Sequence, residues 1–179
     1  MRRVFLALSI GVGAMLLAAV AANAAPAGGK IEVLAVLGSG ASGTIVITGA
    51  IGDYGTTLSM NKNGKPNPNG NYVEIRLQKG SFEVNQTALN AATAKERPTI
   101  QNKSTCSFAF IGTGPPGTLF NGTGLYKGIS GEAKVTFIFG GIGPRYTSGK
   151  HKGQCNRSNS AKPIAQKGWA SGPGTVKFG

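Results

Sequence analysis

The chain reads as an all-β protein of about eight short antiparallel strands, with one short helix at most. Apolar residues recur at every second position in several short runs, the period of a half-buried strand. Glycine makes up 29 of 179 residues without a collagen-like period, so it marks turns and bulges between strands. Only one window has helical composition. Short strands with turns at regular intervals build a sandwich or a barrel.

Taken in order, Ile31 to Leu37 and Thr44 to Thr48 are strands separated by the glycine- and serine-rich run 38–43. Tyr54 to Met60 is a third. Asn61 to Asn71 holds Asn63-Gly64, two prolines and Gly70, the composition of an exposed loop. Val73, Ile75 and Leu77 alternate with Glu74, Arg76 and Gln78; Phe82 and Val84 then alternate with Ser81, Glu83 and Asn85. The intervening Lys79-Gly80 turn makes the pair a hairpin. Ala88 to Glu96 is the helical window, with Thr87 as its N-cap and Pro98 as its stop.

Cys106, Phe108 and Phe110 alternate along a further strand, and the run 112–117 reads as a turn. Gly122 to Gly131 reads as a bent strand with a tight turn. A strand with Val135, Phe137 and Phe139 on one face follows, and the run 140–144 breaks it. Tyr146 to Cys155 is expected to return as a lysine-rich edge strand. Arg157 to Pro173 is polar and loop-like, and Thr175 to Phe178 forms the last strand.

Residues 1–24 have the form of an export signal. Arg2 and Arg3 precede an apolar stretch from Val4 to Ala22, and Ala22-Asn23-Ala24 is a small-x-small cleavage site. The alanine-rich signal has a bacterial character. Its Arg-Arg pair resembles a twin-arginine signal, but general secretion fits better with one residue before it. The expected product is one domain, 25–179, secreted or held in the cell envelope, touching a membrane only through the signal segment. Export leads to an oxidising compartment, where Cys106 and Cys155 are expected to form a disulfide.

Without residues 1–24 the chain has 17 Lys and Arg against six acids, a net charge of +11. No acid follows Glu132, whereas eight bases do. Arg145, Lys150, Lys152, Arg157, Lys162 and Lys167 are therefore expected to form a basic surface. Such a field favours polyanions, an anionic cell-envelope polymer among them. Nucleic acid is not an expected partner of an exported chain that lacks any recognised binding motif.

Little in the chain points to catalysis. His151 is the only histidine and Asp53 the only aspartate, so a Ser-His-Asp triad would require both. His151 lies in a basic, turn-like pentapeptide. There is no P-loop, dinucleotide motif or zinc spacing, so no cofactor or metal is expected. Tyr54, Tyr126 and Tyr146 are the candidates for lining a ligand cavity, Tyr54 and Tyr146 lying beside glycine-rich turns.

The run Gly122-Thr-Gly-Leu-Tyr-Lys-Gly-Ile-Ser-Gly131 resembles the glycine motif of the allene oxide cyclase and dirigent-like barrels, a calycin-type architecture. Gly122, Thr123, Gly124, Tyr126, Gly128 and Gly131 stand at the motif's positions. The resemblance covers about 20 residues and implies a small closed antiparallel barrel of eight strands with an apolar cavity. Some members steer a reactive small molecule to one stereochemical outcome. The family's cavity acids have no clear counterpart here; Asp53 and Glu74 are catalytic candidates by position alone. The resulting expectation is an exported barrel that binds a small apolar ligand in its lumen without covalent catalysis. Docking on anionic polymers through the basic C-terminal half is the alternative. A cyclase-type enzyme is the second.

Overall fold

The computed structural model describes residues 27–38, 40–94, 98, 100–158 and 160–179. The expected signal segment and Glu96 lie outside these residues. The strands are β1 (Gly29–Leu37), β2 (Ser42–Gly49), β3 (Asp53–Met60), β4 (Tyr72–Leu77), β5 (Gly80–Asn85), β6 (Ile100–Asn102), β7 (Ser107–Thr113), β8 (Gly117–Phe120), β9 (Ser130–Ala133), β10 (Thr136–Ile142) and β11 (Ala165–Lys177). All pair antiparallel. Eight of them, in the order β1-β2-β3-β4-β5-β8-β9-β11, close into a barrel when β11 pairs back onto β1 from Val176↔Gly29 to Gly168↔Leu37.

The alternation read from the sequence sets the inside of this wall. Val73, Ile75, Leu77 and Phe82 are all buried, on a hairpin whose turn is Gln78-Lys79. Ile31, Val33 and Ala35 of β1 and Ile45 and Ile47 of β2 supply the facing aliphatics.

The other strands form a wing. A long hairpin runs through both parts. At its base β8 pairs with β9; beyond a break at 114–116 and 134–135 the ladder resumes as β7 with β10. Strand β11 bridges the two parts: Gly174–Lys177 pair with β9, and Ala165–Ser171 pair with β10. The wing sheet is therefore β11-β10-β7-β6, and β6 is its terminal strand. Phe110 and Phe137 stack on one of its faces at 5.4 Å, with Phe108 and Phe139 alongside. The Cys106–Cys155 disulfide ties the wing's far loops together across 49 positions, as expected.

Several expectations need correction. The stretch 157–173 is not mainly loop, because β11 starts at Ala165 and is the longest strand. Its inward positions hold Gly168, Gly172 and Gly174, which conceal the alternation. Close packing requires this: a Cβ at Gly172 would lie 2.3 Å from the Lys134 carbonyl oxygen. The segment 146–155 is not an edge strand. It makes one bridge, Arg145↔Cys155, and otherwise folds through turns. Cys106 precedes β7 in a turn with φ of 58°. Strand β7 continues to Thr113, so the turn is shorter than 112–117.

The helix, α1 (Thr87–Thr93), is not capped by Thr87. Gln86 holds the cap position without a side-chain bond, and Asn85 Oδ1 accepts the Thr87 N–H at 2.9 Å instead. Finally, Gly122–Gly131 is not a bent strand. Up to Ile129 it is a loop around a 3₁₀ turn at Gly124–Tyr126 that closes one end of the barrel, and Ser130 and Gly131 then open β9. Gly124 has φ of 58°, and a Cβ there would meet the Lys79 carbonyl oxygen at 2.4 Å.

Candidate functional site

The barrel is closed at one end and hollow above the closure. Tyr126 is fully buried at the floor, packed edge-to-face on Phe82 at 5.7 Å. Its hydroxyl donates to Asp53 Oδ2 at 2.5 Å, the length of a charge-assisted O–H···O⁻ bond. Asp53 also accepts the backbone N–H of Tyr54 (2.8 Å) and of Lys79 (3.1 Å). Burial pushes the Asp53 pKa up, but the Tyr126 hydroxyl and these backbone donors outweigh it, so the pKa lies below its ordinary value. Burial, then the Asp53 carboxylate, push the Tyr126 phenol well above its ordinary value. The floor is thus an ionised carboxylate bonded to a neutral phenol, a structural lock with its hydrogen-bonding groups engaged.

Above it lies a cavity of about 260 Å³. Aliphatic side chains line its walls, among them Ile31, Val33, Ala35, Ile45, Ile47 and Ile75. Polar groups gather where Thr57, Ser59, Gln86 and Asn90 join the lining. The last two belong to α1 and its entry, which sits across the mouth with Leu89 buried. Asn90 Nδ2 donates to the Gly70 carbonyl (3.2 Å) and to Asn71 Oδ1 (2.9 Å), fastening the helix to the 61–71 loop. A second hollow of about 290 Å³ shares Leu37, Thr57, Ser59 and Pro68 with the lumen. Phe139 and Gln166 of the wing wall it, so it forms a vestibule between barrel and wing. Among the described lining residues of lumen and vestibule there is no ionisable side chain.

The sequence-derived candidates lie elsewhere. Tyr54 points away from the barrel and is 60% exposed. Tyr126 forms the floor and is not among the cavity's lining residues. Tyr146 sits in the wing's loop, its ring 5.7 Å from that of His151. His151 is exposed and bonds Gln154 Oε1 at 3.0 Å. Asp53 is held in the floor lock. Glu74 is on the outer wall, paired with Arg76 at 2.7 Å. The structure does not bring these residues together into a reactive set. Arg145, Lys150, Lys152, Arg157, Lys162 and Lys167 are all exposed on the wing and its loops. Arg145 is used structurally as well: its guanidinium donates to the carbonyls of Gly153 and Ser104.

Sequence reasoning missed the cavity lining. The period-two pattern of Ile31, Val33 and Ala35 identifies an inward face, but the pattern is the same for a filled core and a hollow one. The only local hint is size, since Ala35 and Gly117 are small where a filled core would want bulk.

No family model matches this chain, and no curated protein or solved structure is significantly similar to it.

Proposed function

We propose that this protein is an exported barrel that binds a small apolar molecule in its lumen, without covalent catalysis. The observation that carries the reading is the hollow, aliphatic cavity with polar groups confined to its mouth, the usual division of labour in a ligand site. Benzene occupies a cavity of roughly 150 Å³, so 260 Å³ suits a group of about ten non-hydrogen atoms. An unbranched acyl or alkyl chain, or a compact terpenoid, has that size. Its polar end would meet Gln86, Asn90 and the Thr57 and Ser59 hydroxyls, with overflow into the vestibule beside Phe139.

The test is calorimetric titration with a series of n-alkanols from hexanol to dodecanol. One saturable site, tightest near decanol and with a negative heat-capacity change, is the expected result. Ala35→Phe should fill the lumen and abolish binding while leaving the melting temperature in place. A series with no saturable binding overturns the reading.

A further inference from the structure

The outer wall carries a second apolar surface that does not involve the lumen. Across the ladder, Tyr54 of β3 pairs with Val46 of β2, and Val46 with Leu34 of β1. In the next row Val36 of β1 pairs with Trp169 of β11, and Trp169 with Ile138 of β10. Residues two apart on a strand share a face, so the two rows join into one stripe running from barrel to wing. Every member is exposed, Tyr54 at 60%, Leu34 and Trp169 at 49%. A groove of about 500 Å³ lies between five of them. Contiguous exposed apolar surface of this kind marks a contact with a protein or a membrane.

Charge selects between the two. The wing and its loops, residues 100–113 and 136–171, carry seven bases and no acid. Lys167 stands on the same face of β11 as Trp169, two residues away, and is exposed. A second copy seated on the stripe would bring two such acid-free wings together, against their mutual repulsion. A hydrated anionic polymer would satisfy the lysines but could not bury the aliphatic stripe. An anionic bilayer does both: it accepts the apolar side chains, places Trp and Tyr at the headgroup level where they are enriched, and attracts the bases.

We infer that the protein docks peripherally on anionic lipid bilayers through the Tyr54–Val46–Leu34 and Val36–Trp169–Ile138 rows, with the cationic wing against the headgroups.

Trp169 is the only tryptophan, so its fluorescence reports on this face alone. The eleven strands among the described residues and the disulfide lie between residues 29 and 177, so residues 25–179 are used for the experiment. Vesicles of phosphatidylcholine with 30% phosphatidylglycerol are titrated into this protein and compared with pure phosphatidylcholine. The expected result is a shift of Trp169 emission to shorter wavelength with the anionic vesicles, and part of the binding surviving in 0.5 M salt. Lys162→Gln with Lys167→Gln should weaken the partition by about 25-fold, roughly fivefold per lysine near an anionic surface. Leu34→Gln with Val46→Gln should remove the salt-resistant part; both side chains already face outward, and an unchanged melting temperature confirms the fold.

Three results overturn the inference. One is no emission shift on anionic vesicles. Another is an already short-wavelength emission in a multimer without lipid, which would assign the stripe to a second copy. The third is retention on an anionic polymer, lost in 0.5 M salt, without vesicle binding. None of these depends on the lumen, so the alkanol titration and the vesicle titration fail separately.

Discussion

The barrel and the wing share one long hairpin and one bridging strand, yet they are held by different means. In the barrel, closure leaves no free edge, aliphatic side chains meet across the lumen, and the Asp53–Tyr126 lock seals the floor. The wing is an open sheet whose phenylalanines are only partly covered and whose far loops depend on the Cys106–Cys155 bond. Charge divides along the same line: the five described acids, Glu32, Asp53, Glu74, Glu83 and Glu132, all belong to the barrel. Closure does for the barrel what a covalent link does for the wing. The acid-free wing also concentrates positive charge, which raises the value of a covalent tie there.

The sharpest way to break this contrast is to remove the disulfide. Cys106→Ser with Cys155→Ser frees a loop of 49 positions, worth about 4 kcal/mol in the chain-entropy model. Amide exchange should accelerate in β7 and β10 while β1 to β5 keep their protection. Uniform acceleration would mean that the wing and barrel unfold as one unit.

Attacking the floor should do the reverse. Asp53→Ala strands the buried Tyr126 hydroxyl and two backbone N–H groups, a loss of about 3 kcal/mol. Chemical denaturation should show it as a barrel-wide effect. Tyr126→Phe keeps the ring and loses one charge-assisted bond, about 2 kcal/mol. Both variants test whether the lock or the aliphatic wall holds the closed end.

The lock also predicts a pH window. Asp53's pKa is lowered on folding, so its stabilisation is present above its ordinary value of 3.8 and is lost as pH falls through the lowered pKa. Tyr126's is raised, so its stabilisation is full below the ordinary 10 and is lost as pH climbs towards the raised pKa. Thermal melts from pH 2 to 11 should fall at both ends, and Tyr126→Phe should flatten the alkaline limb. The smallest effect belongs to Glu74→Gln, which breaks an exposed ion pair and should cost less than about 1 kcal/mol, without altering alkanol binding.

Legibility follows the same divide. The barrel's strands could be read because Val73, Ile75 and Leu77 alternate with polar neighbours, and the disulfide because the chain has two cysteines and the expected export would place them in an oxidising compartment. Strand β11 could not: with Gly168, Gly172 and Gly174 facing inward, its buried side has no hydropathy to count. The glycine run 122–131 resembles a barrel motif, and its role as a plug depends on Lys79 and Asp53, both distant in sequence. The outer stripe was present in the sequence as a break in alternation. Leu34 and Val36 make β1 apolar on both sides, and Val46 does so for β2, the signature of a strand covered on two faces.

The closed order of the sheet has one more consequence. Because β11 returns to β1, the terminal strand of the described sheet lies on the wing, where β6 has three exposed residues. Filament growth by strand addition needs two open rims per molecule, one to donate and one to accept. Closure therefore withholds the barrel strands from edge-to-edge addition and confines that hazard to the wing.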